Sequence, residues 1–410
     1  DLPLETQKLR IDHLWKLLQN NPRDHRTRCS LFKALKEYKR ECKKKKRKFY
    51  HDAIDKLDQL VESNPEAYWK LLKNLKEIDS HGTSNTTKVD PSEWKDYFSK
   101  LNEIPENLKT LNTKLNDEVN DTLNKIGQDN NCNSRDDDSL NHNITKEEIM
   151  KAIKKLKNRK ASGLDGITNE MLKYGSVTLL PCLYIIFNVV FNSSFFPRDW
   201  AQGYISPIFK SGSQHDPNNY RGITVTSVIG KLFNLTLNNR LDSFLTANKS
   251  ISPTQIGFSK GSRTTDHMFI LKTLIDKYTN SKNGKLYCCF IDFHKAFDSV
   301  LRPALFKKMI SCGIQGKFFD IIRNIYSKVQ LAVRLDSNRL TKFFTSDIGV
   351  HQGDVLSPNL FKIFINDLND YFDKSCAPAT LLKASVNCLM YADDIILISE
   401  TPEGLQRCLD

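Results

Sequence analysis

LMYADDIILI, Leu389–Ile398, sets two adjacent acids, Asp393 and Asp394, between runs of apolar and β-branched residues. The pattern predicts a β-hairpin with the acids at its turn. Such a hairpin points two carboxylates out of one end of a buried sheet, where unit charges about 4 Å apart repel by roughly 4 kcal/mol at an effective dielectric of 20. A cation relieves that repulsion, and hard oxygen ligands near phosphates suit Mg²⁺. Upstream, the apolar run Leu286–Ile291 stops at a further acid, Asp292. Two strands ending in acids, with a basic hairpin before them, allow a two-metal phosphoryl-transfer site. Each Asp taken alone is equally an ordinary strand-end turn residue.

Strands and helices alternate around this centre. Ile205–Lys210 and Tyr220–Ile223, joined by a polar turn through Gly212 and Pro217, read as a hairpin with a cation on each arm, Lys210 and Arg221. Helices are expected over 229–245 and 266–278, then a long helical region over 301–329 and a short strand pair around Val333 and Phe343. A turn through Gly349–Pro358 leads into a helix with Leu360, Phe361, Phe364, Ile365 and Leu368 on one side. Thr145 followed by Glu148 is a capping box, opening a helix striped by Ile149, Ile153 and Leu156. The layout is α+β, with helices packed on one face of an antiparallel sheet.

The N-terminal part reads differently. Residues up to about 125 are helical and polar, with Ala53, Ile54, Leu57, Leu60 and Val61 on one face and a further helix from Pro65 carrying Trp69, Leu72 and Leu75. Residues 36–48 are dense in Lys and Arg, including Lys43, Lys44, Lys45, Lys46, Arg47 and Lys48. That run is either a solvated helix face or an arm that tracks phosphates. GQDNNCNSRDDDSLNHN, residues 127–143, is nearly devoid of apolar residues and reads as a disordered linker. The expected domains are therefore 1–126, a helical basic connector; 127–143, the linker; and 144–410, the chemistry.

The 410 residues carry a formal charge of +13 and a pI near 9.1, a balance that favours polyanions. No apolar run approaches the roughly 20 residues of a membrane span, and DLPLETQKLR has no signal-peptide core, so an intracellular protein without a membrane partner is expected. The 10 cysteines include no C-x-x-C pair and signal neither zinc nor a disulfide framework; they read as reduced and mostly buried. The chain begins without Met and stops a few residues into a helix, which reads as a fragment at both ends.

From about Thr145 onward the chain resembles the reverse transcriptases of non-LTR (LINE-type) retrotransposons. FIDFHKAFD (Phe290–Asp298) looks like the family's motif A, GVHQGDVLSP (Gly349–Pro358) like motif B and YADD (Tyr391–Asp394) like motif C. KASGLDG (Lys160–Gly166), PIFK (Pro207–Lys210), NNYRGIT (Asn218–Thr224) and QIGFSKGSRTTDH (Gln255–His267) continue the series in order. The resemblance implies a right-hand polymerase fold, with fingers and palm present, the thumb absent and a helical basic region in front. It implies that Asp292, Asp393 and Asp394, with the backbone carbonyl of Phe293, hold two Mg²⁺ ions, for which Mn²⁺ can substitute. Lys210 and Arg221 would grip the triphosphate, Arg through its planar fork. Phe297 would exclude a ribose 2′-hydroxyl, and Gln352 and Gly353 would border the nucleotide.

His351 stands where the family more often has Pro or Arg, and Lys295 with Asp298 reads as a local ion pair. The implied reaction is RNA-templated extension of a DNA primer by deoxynucleoside triphosphates, with the nucleus as the site of action. A non-catalytic nucleic-acid-binding remnant and a group II intron-type maturase are the competing readings.

Overall fold

The computed structural model describes the chain except residues 1, 21–23, 65–66, 70, 72–88, 129–137, 260, 282–283, 336–338, 373 and 383. The chain divides into two compact units, Asp1–Thr86 and Thr87–Asp410.

In the first unit the helices Leu2–Asn20 and His25–Ser63 pack through Ile11, Leu31 and Ala34, with Leu14, Leu18, Leu35 and Tyr38 around them. Asp24 caps the second helix by accepting from the Arg26 backbone N–H at 3.0 Å. Lys36, Lys39, Arg40, Lys43, Lys44, Arg47 and Lys48 are all exposed, and their spacing of three and four puts them in one stripe. Of the expected apolar face, Ala53 is buried whereas Ile54 is exposed. The side chains of Lys46 and Val61 lie outside the described residues; of the helix expected from Pro65, residues 67–69 and 71 are helical with Trp69 exposed, and Leu72 and Leu75 lie outside the described residues.

The second unit begins well before the expected boundary. Helix Pro91–Leu101 buries Trp94 and Phe98 among Ile205, Tyr220, Leu331 and Val333, with the Trp94 and Tyr220 ring centroids 4.8 Å apart. Helix Glu106–Gln128 sinks Val119 into the main core and pairs Glu118 with Lys307 at 2.7 Å. Residues 89–126 therefore pack with the region expected to begin at 144, because Trp94 and Phe98, four apart, make one aromatic face that those strands cover. The linker expectation is corrected likewise. Residues 129–137 lie outside the described residues, but Asp138–Asn141 is a helical turn with Leu140 buried. The buried guanidinium of Arg240 donates to the carbonyls of Leu140, His142 and Asn143 and to Glu148, at 2.6–3.1 Å. Those carbonyls help pin a polar stretch, together with Asn141 Oδ1, which accepts from Phe318 N–H at 3.0 Å, and the buried Leu140 side chain.

The capping box forms as expected, Glu148 N–H to Thr145 Oγ1 at 3.2 Å and Thr145 N–H to Glu148 Oε2 at 2.8 Å, opening helix Lys146–Lys155. Helix Ser176–Ser193 has no charged residue and meets the length and apolarity of a membrane span, contrary to the expectation. One face of it, Leu183, Phe187, Val190 and Phe191, belongs to the main core. The long helical region expected over 301–329 holds two helices, Arg302–Ser311 and Gly316–Ser327, broken where Gly313 takes a φ of +82°. None of the described cysteines is disulfide-bonded, and only Cys376 and Cys388 among them are fully buried.

The strands are β1 (Gln202–Phe209), β2 (Tyr220–Thr226), β3 (Tyr287–Asp292), β4 (Gln330–Val333), β5 (Phe344–Thr345), β6 (Ala379–Leu381), β7 (Ala384–Val386), β8 (Cys388–Tyr391) and β9 (Asp394–Ser399). They form two principal sheets rather than the single antiparallel one expected, ordered β2-β1-β4-β5 and β3-β9-β8. β1 and β4 run parallel. Helices also touch both faces of the β3-β9-β8 sheet. Cys289, Ile291, Met390, Ile395 and Leu397 point into the main core, while Cys288, Leu389 and Ile398 on the other face meet Leu271 and Leu274 of helix Thr264–Thr279. Toward the acid end that second face opens, leaving Phe290 71% exposed.

Candidate active site

The acids occupy the open end of the β3-β9-β8 sheet. Tyr391 pairs with Asp394 across the β8–β9 hairpin, so Ala392 and Asp393 are its turn, and Ala392 adopts the positive φ of +58° that a tight hairpin needs at its first turn residue. Asp292, last in β3, lies directly opposite Asp394 in β9. Side chains alternate along a strand, so Phe290, Asp292, Asp394, Ile396 and Tyr391 share the open face. The Asp394 carboxyl is raised above its ordinary range by burial first, then by the negative charges of Asp393 and Asp292. Among the described residues no three acids, histidines or cysteines close into a ready-made cation cage. The donor set nonetheless fits a divalent cation: three carboxylates of hard oxygens gathered at the open end of one sheet.

A second cluster lies after β3. The Phe297 ring stacks on Phe361, centroids 4.8 Å apart at 15°, and meets the edge of Phe258 at 6.1 Å. Its carbonyl accepts from Val350 N–H at 2.8 Å, tying motif A to the loop before helix Ser357–Ile365. The next residue, Asp298, accepts from the Gln352 side-chain amide at 2.8 Å, and burial lifts its pKa to about 6 against the pull of Lys295, Gln352 and Arg221. The expected Lys295–Asp298 ion pair does not form: Lys295 Nζ sits 4.8 Å from the Tyr97 ring centroid. The ring face attracts the ammonium and covers part of its stem.

The loop 349–353 docks on the first sheet. Thr224 N–H donates to the Gln352 carbonyl at 2.9 Å, and Gly353, at φ +105°, lies so close to β2 that a Cβ would come within 3.1 Å of the Thr224 carbonyl. Beneath the loop, the buried Arg302 guanidinium donates to the carbonyls of Gly349, Tyr326, Ser346 and Ile348 and to Ser346 Oγ, at 2.5–3.1 Å. Lys210 closes the β1–β2 hairpin through its backbone N–H to the Asn219 carbonyl at 2.8 Å, and its side chain and that of Arg221 are exposed. Phe293 is 40% exposed, beside Asp292. The structure thus brings Asp292 and Asp394 together with Asp393 at the turn, and groups Phe297, Gln352 and Gly353. Lys43, Lys44, Arg47 and Lys48 belong to the exposed stripe of the first unit, while Lys45 is half-buried there.

Residues not singled out from sequence complete the setting. Gln255 is buried against the acid turn, Tyr97 and Phe98 reach the site from a helix far upstream, and Asn234 donates to the buried Asp354 at 2.8 Å. A glutamine two residues before a glycine carries no local signal for a contact 137 positions away.

Carboxylates gathered at paired strand ends, with exposed cations on the arms of the β1–β2 hairpin, suit the class of proteins that handle phosphates through divalent metals. Residues 208–410 match the family described as reverse transcriptase (RNA-dependent DNA polymerase). The chain is 31% identical over 280 residues to a probable RNA-directed DNA polymerase from transposon BS of Drosophila melanogaster, covering 65% of this chain and 29% of that protein. It is 29% identical over 280 residues to the RNA-directed DNA polymerase from mobile element jockey of Drosophila funebris, again 65% and 29%. It is 27% identical over 261 residues to a Pol polyprotein from type-1 retrotransposable element R2 of Popillia japonica, covering 63% and 35%. A solved apo telomerase from Candida tropicalis, truncated from its C-terminal domain, aligns at a TM-score of 0.40 and 15% identity over 60% of this chain and 51% of that one. The chain carries a reverse transcriptase domain of the non-LTR retrotransposon kind. It spans under a third of the length of the first two relatives.

Proposed function

We propose that this chain supplies the catalytic centre of an RNA-directed DNA polymerase that extends a DNA primer along an RNA template. The primer 3′-oxygen attacks the α-phosphorus of a deoxynucleoside triphosphate; the new P–O bond forms as the bond to the β-phosphate oxygen breaks, and pyrophosphate leaves. The reverse transcriptase family works with divalent metals. Asp292, Asp393 and Asp394, with the Phe293 carbonyl, would hold two Mg²⁺, or Mn²⁺ in their place, which when bound neutralise phosphate charge and activate the attacking oxygen. Arg221 and Lys210 bind the triphosphate from the β1–β2 arms. Phe297, braced by Phe361, fills the space a 2′-hydroxyl would need, and Gln352 and Gly353 form the floor beside it.

In this reading β1, β2 and the helices around them are fingers, and the β3-β9-β8 sheet with its helices is palm. Residues 91–128 are an N-terminal addition to that domain. The exposed basic stripe of the first unit tracks nucleic-acid phosphates, and the site of action is the nucleus. The observation that carries the reading is the register that sets Asp292 opposite Asp394, beside Asp393. The test is primer extension on an RNA template by the full-length protein carrying Asp393→Asn. Extension should fall on the order of a thousandfold, about 4 kcal/mol of transition-state energy, with template affinity unchanged. Equal loss of binding and extension would show that Asp393 serves the fold.

A further inference from the structure

The acid turn has an unusual backbone and a dedicated support. Ala392 holds φ at +58°, a region that is sterically unfavourable for a side-chain-bearing residue. Across from it, the chain at 254–256 adds to the free edge of β8: Met390 N–H donates to the Thr254 carbonyl at 2.9 Å and Ile256 N–H to the Met390 carbonyl at 3.0 Å. Gln255, 2% exposed, then spends its whole side-chain amide on the turn. Its Nε2 donates to the Ala392 carbonyl at 3.1 Å, and its Oε1 accepts from the Ala392 N–H at 3.0 Å and from Gly257 N–H at 2.9 Å. Gly257 is required beside it, because a Cβ there would collide with the Ala392 backbone nitrogen. Both polar groups of Ala392 are thus read by one side chain, the residue next to the proposed ligand Asp393.

We infer that Gln255 is a positioning residue for the acid hairpin, clamping the Ala392 peptide groups in the left-handed turn so that Asp393 and Asp394 keep the aim that cation binding needs. The inference rests on the metal-holding role proposed above for those acids. A buried amide suits this role, because it offers a donor and an acceptor at fixed separation, carries no charge to compete with the carboxylates, and is held by Gly257 N–H in one orientation. Outer partners of this kind set the geometry of ligands they never share with the metal.

The experiment uses the full-length protein with two readouts, Mn²⁺ affinity by electron paramagnetic resonance titration and the kcat of primer extension, on Gln255→Leu, Gly257→Ala and the double variant Gln255→Leu/Ala392→Gly. Gln255→Leu should weaken Mn²⁺ binding about tenfold or more and lower kcat with little change in KM for the nucleotide. Gly257→Ala should do the same while leaving Gln255 in place, which keeps the test open if the leucine variant does not fold. The double variant should regain much of the Mn²⁺ affinity, since glycine adopts the turn without a clamp. A merely structural role predicts no such rescue. Wild-type Mn²⁺ affinity in Gln255→Leu or Gly257→Ala, or a double variant as weak as the single one, overturns the inference. If the wild-type protein binds Mn²⁺ but extends no primer, the polymerase reading fails while the Mn²⁺ series still decides whether Gln255 positions the turn.

Discussion

His351 is buried at the back of the loop that borders the proposed nucleotide site, its ring centroid 5.4 Å from that of Tyr326, and neither ring nitrogen has a protein hydrogen-bond partner. Burial, reinforced by the nearby Arg302 charge, lowers its pKa to about 3. A base whose folded pKa is depressed contributes stability that is complete above its unfolded value near 6.5 and is lost as pH falls toward the folded value. At pH 5 the loss is about 2 kcal/mol, from roughly 1.5 units at 1.36 kcal/mol each. His351→Phe preserves the packing and removes the proton, so between pH 7.5 and 5 wild type should lose about 2 kcal/mol more than the variant in urea unfolding. Asp298 titrates with the opposite sign, its pKa of about 6 favouring the fold as pH falls, which is why the comparison of variant with wild type is the informative one. Parallel pH profiles would mean that His351 is protonated in place.

At the same scale, what sequence makes legible divides cleanly by range. Asp292, Asp393 and Asp394 are marked by apolar runs that stop at an acid, a signal contained within six or seven residues. The partners of Lys295 and Asp298 are not so marked. Three residues apart, they read as an ion pair, and the structure gives each a partner from another element, Tyr97 and Gln352. Nothing local distinguishes a Lys that finds a carboxylate from one that finds a ring.

At the level of elements, helix Pro91–Leu101 lies outside the matched residues 208–410, yet it forms one wall of the β2-β1-β4-β5 sheet. Phe98 is so close to Gly222 that a Cβ on that glycine would come within 2.6 Å of its ring, so β2 and the helix fit only as a pair. The Asn102 carbonyl beyond the helix also accepts from Asp347 N–H at 2.9 Å. Phe98→Ala should therefore destabilise the Thr87–Asp410 unit by about 3–5 kcal/mol, the range for opening a buried aromatic cavity. A helix that merely joined two domains would cost well under 1 kcal/mol, and calorimetric or denaturant unfolding separates the two outcomes. The hairpins β1–β2 and β8–β9 could be read from apolar runs and the polar turns between them, because their partners are neighbours in sequence. The parallel pairing of β1 with β4 could not, since it joins Gln202 to Gln330 and its register is decided by packing rather than by a turn. The addition of residues 254–256 to the β8 edge is of the same kind, a pairing too short to leave a strand pattern.

At the scale of the whole molecule, the excess of +13 is a statement about polyanions, and the first unit shows where part of it is displayed. In the sequence, residues 36–48 are only a dense run. In the helix the seven exposed cations from Lys36 to Lys48 recur at three and four, a ribbon about 18 Å long at 1.5 Å per residue. The mutual repulsion of such a ribbon is tolerable in water and falls further when phosphates replace small counterions. Changing Lys43, Lys44, Arg47 and Lys48 together to Gln should lower the affinity of the full-length protein for duplex or single-stranded nucleic acid in low salt. It should also flatten the plot of log affinity against log salt by about 0.7–0.9 for each phosphate no longer neutralised, hence by roughly 3 units if all four side chains meet phosphates. The fold should survive, because these side chains are exposed and the helix packs through Leu31, Ala34 and Tyr38 on its other side. An unchanged slope would show that the ribbon is a solvated face and that the charge the polymerase uses for its template lies elsewhere on the chain.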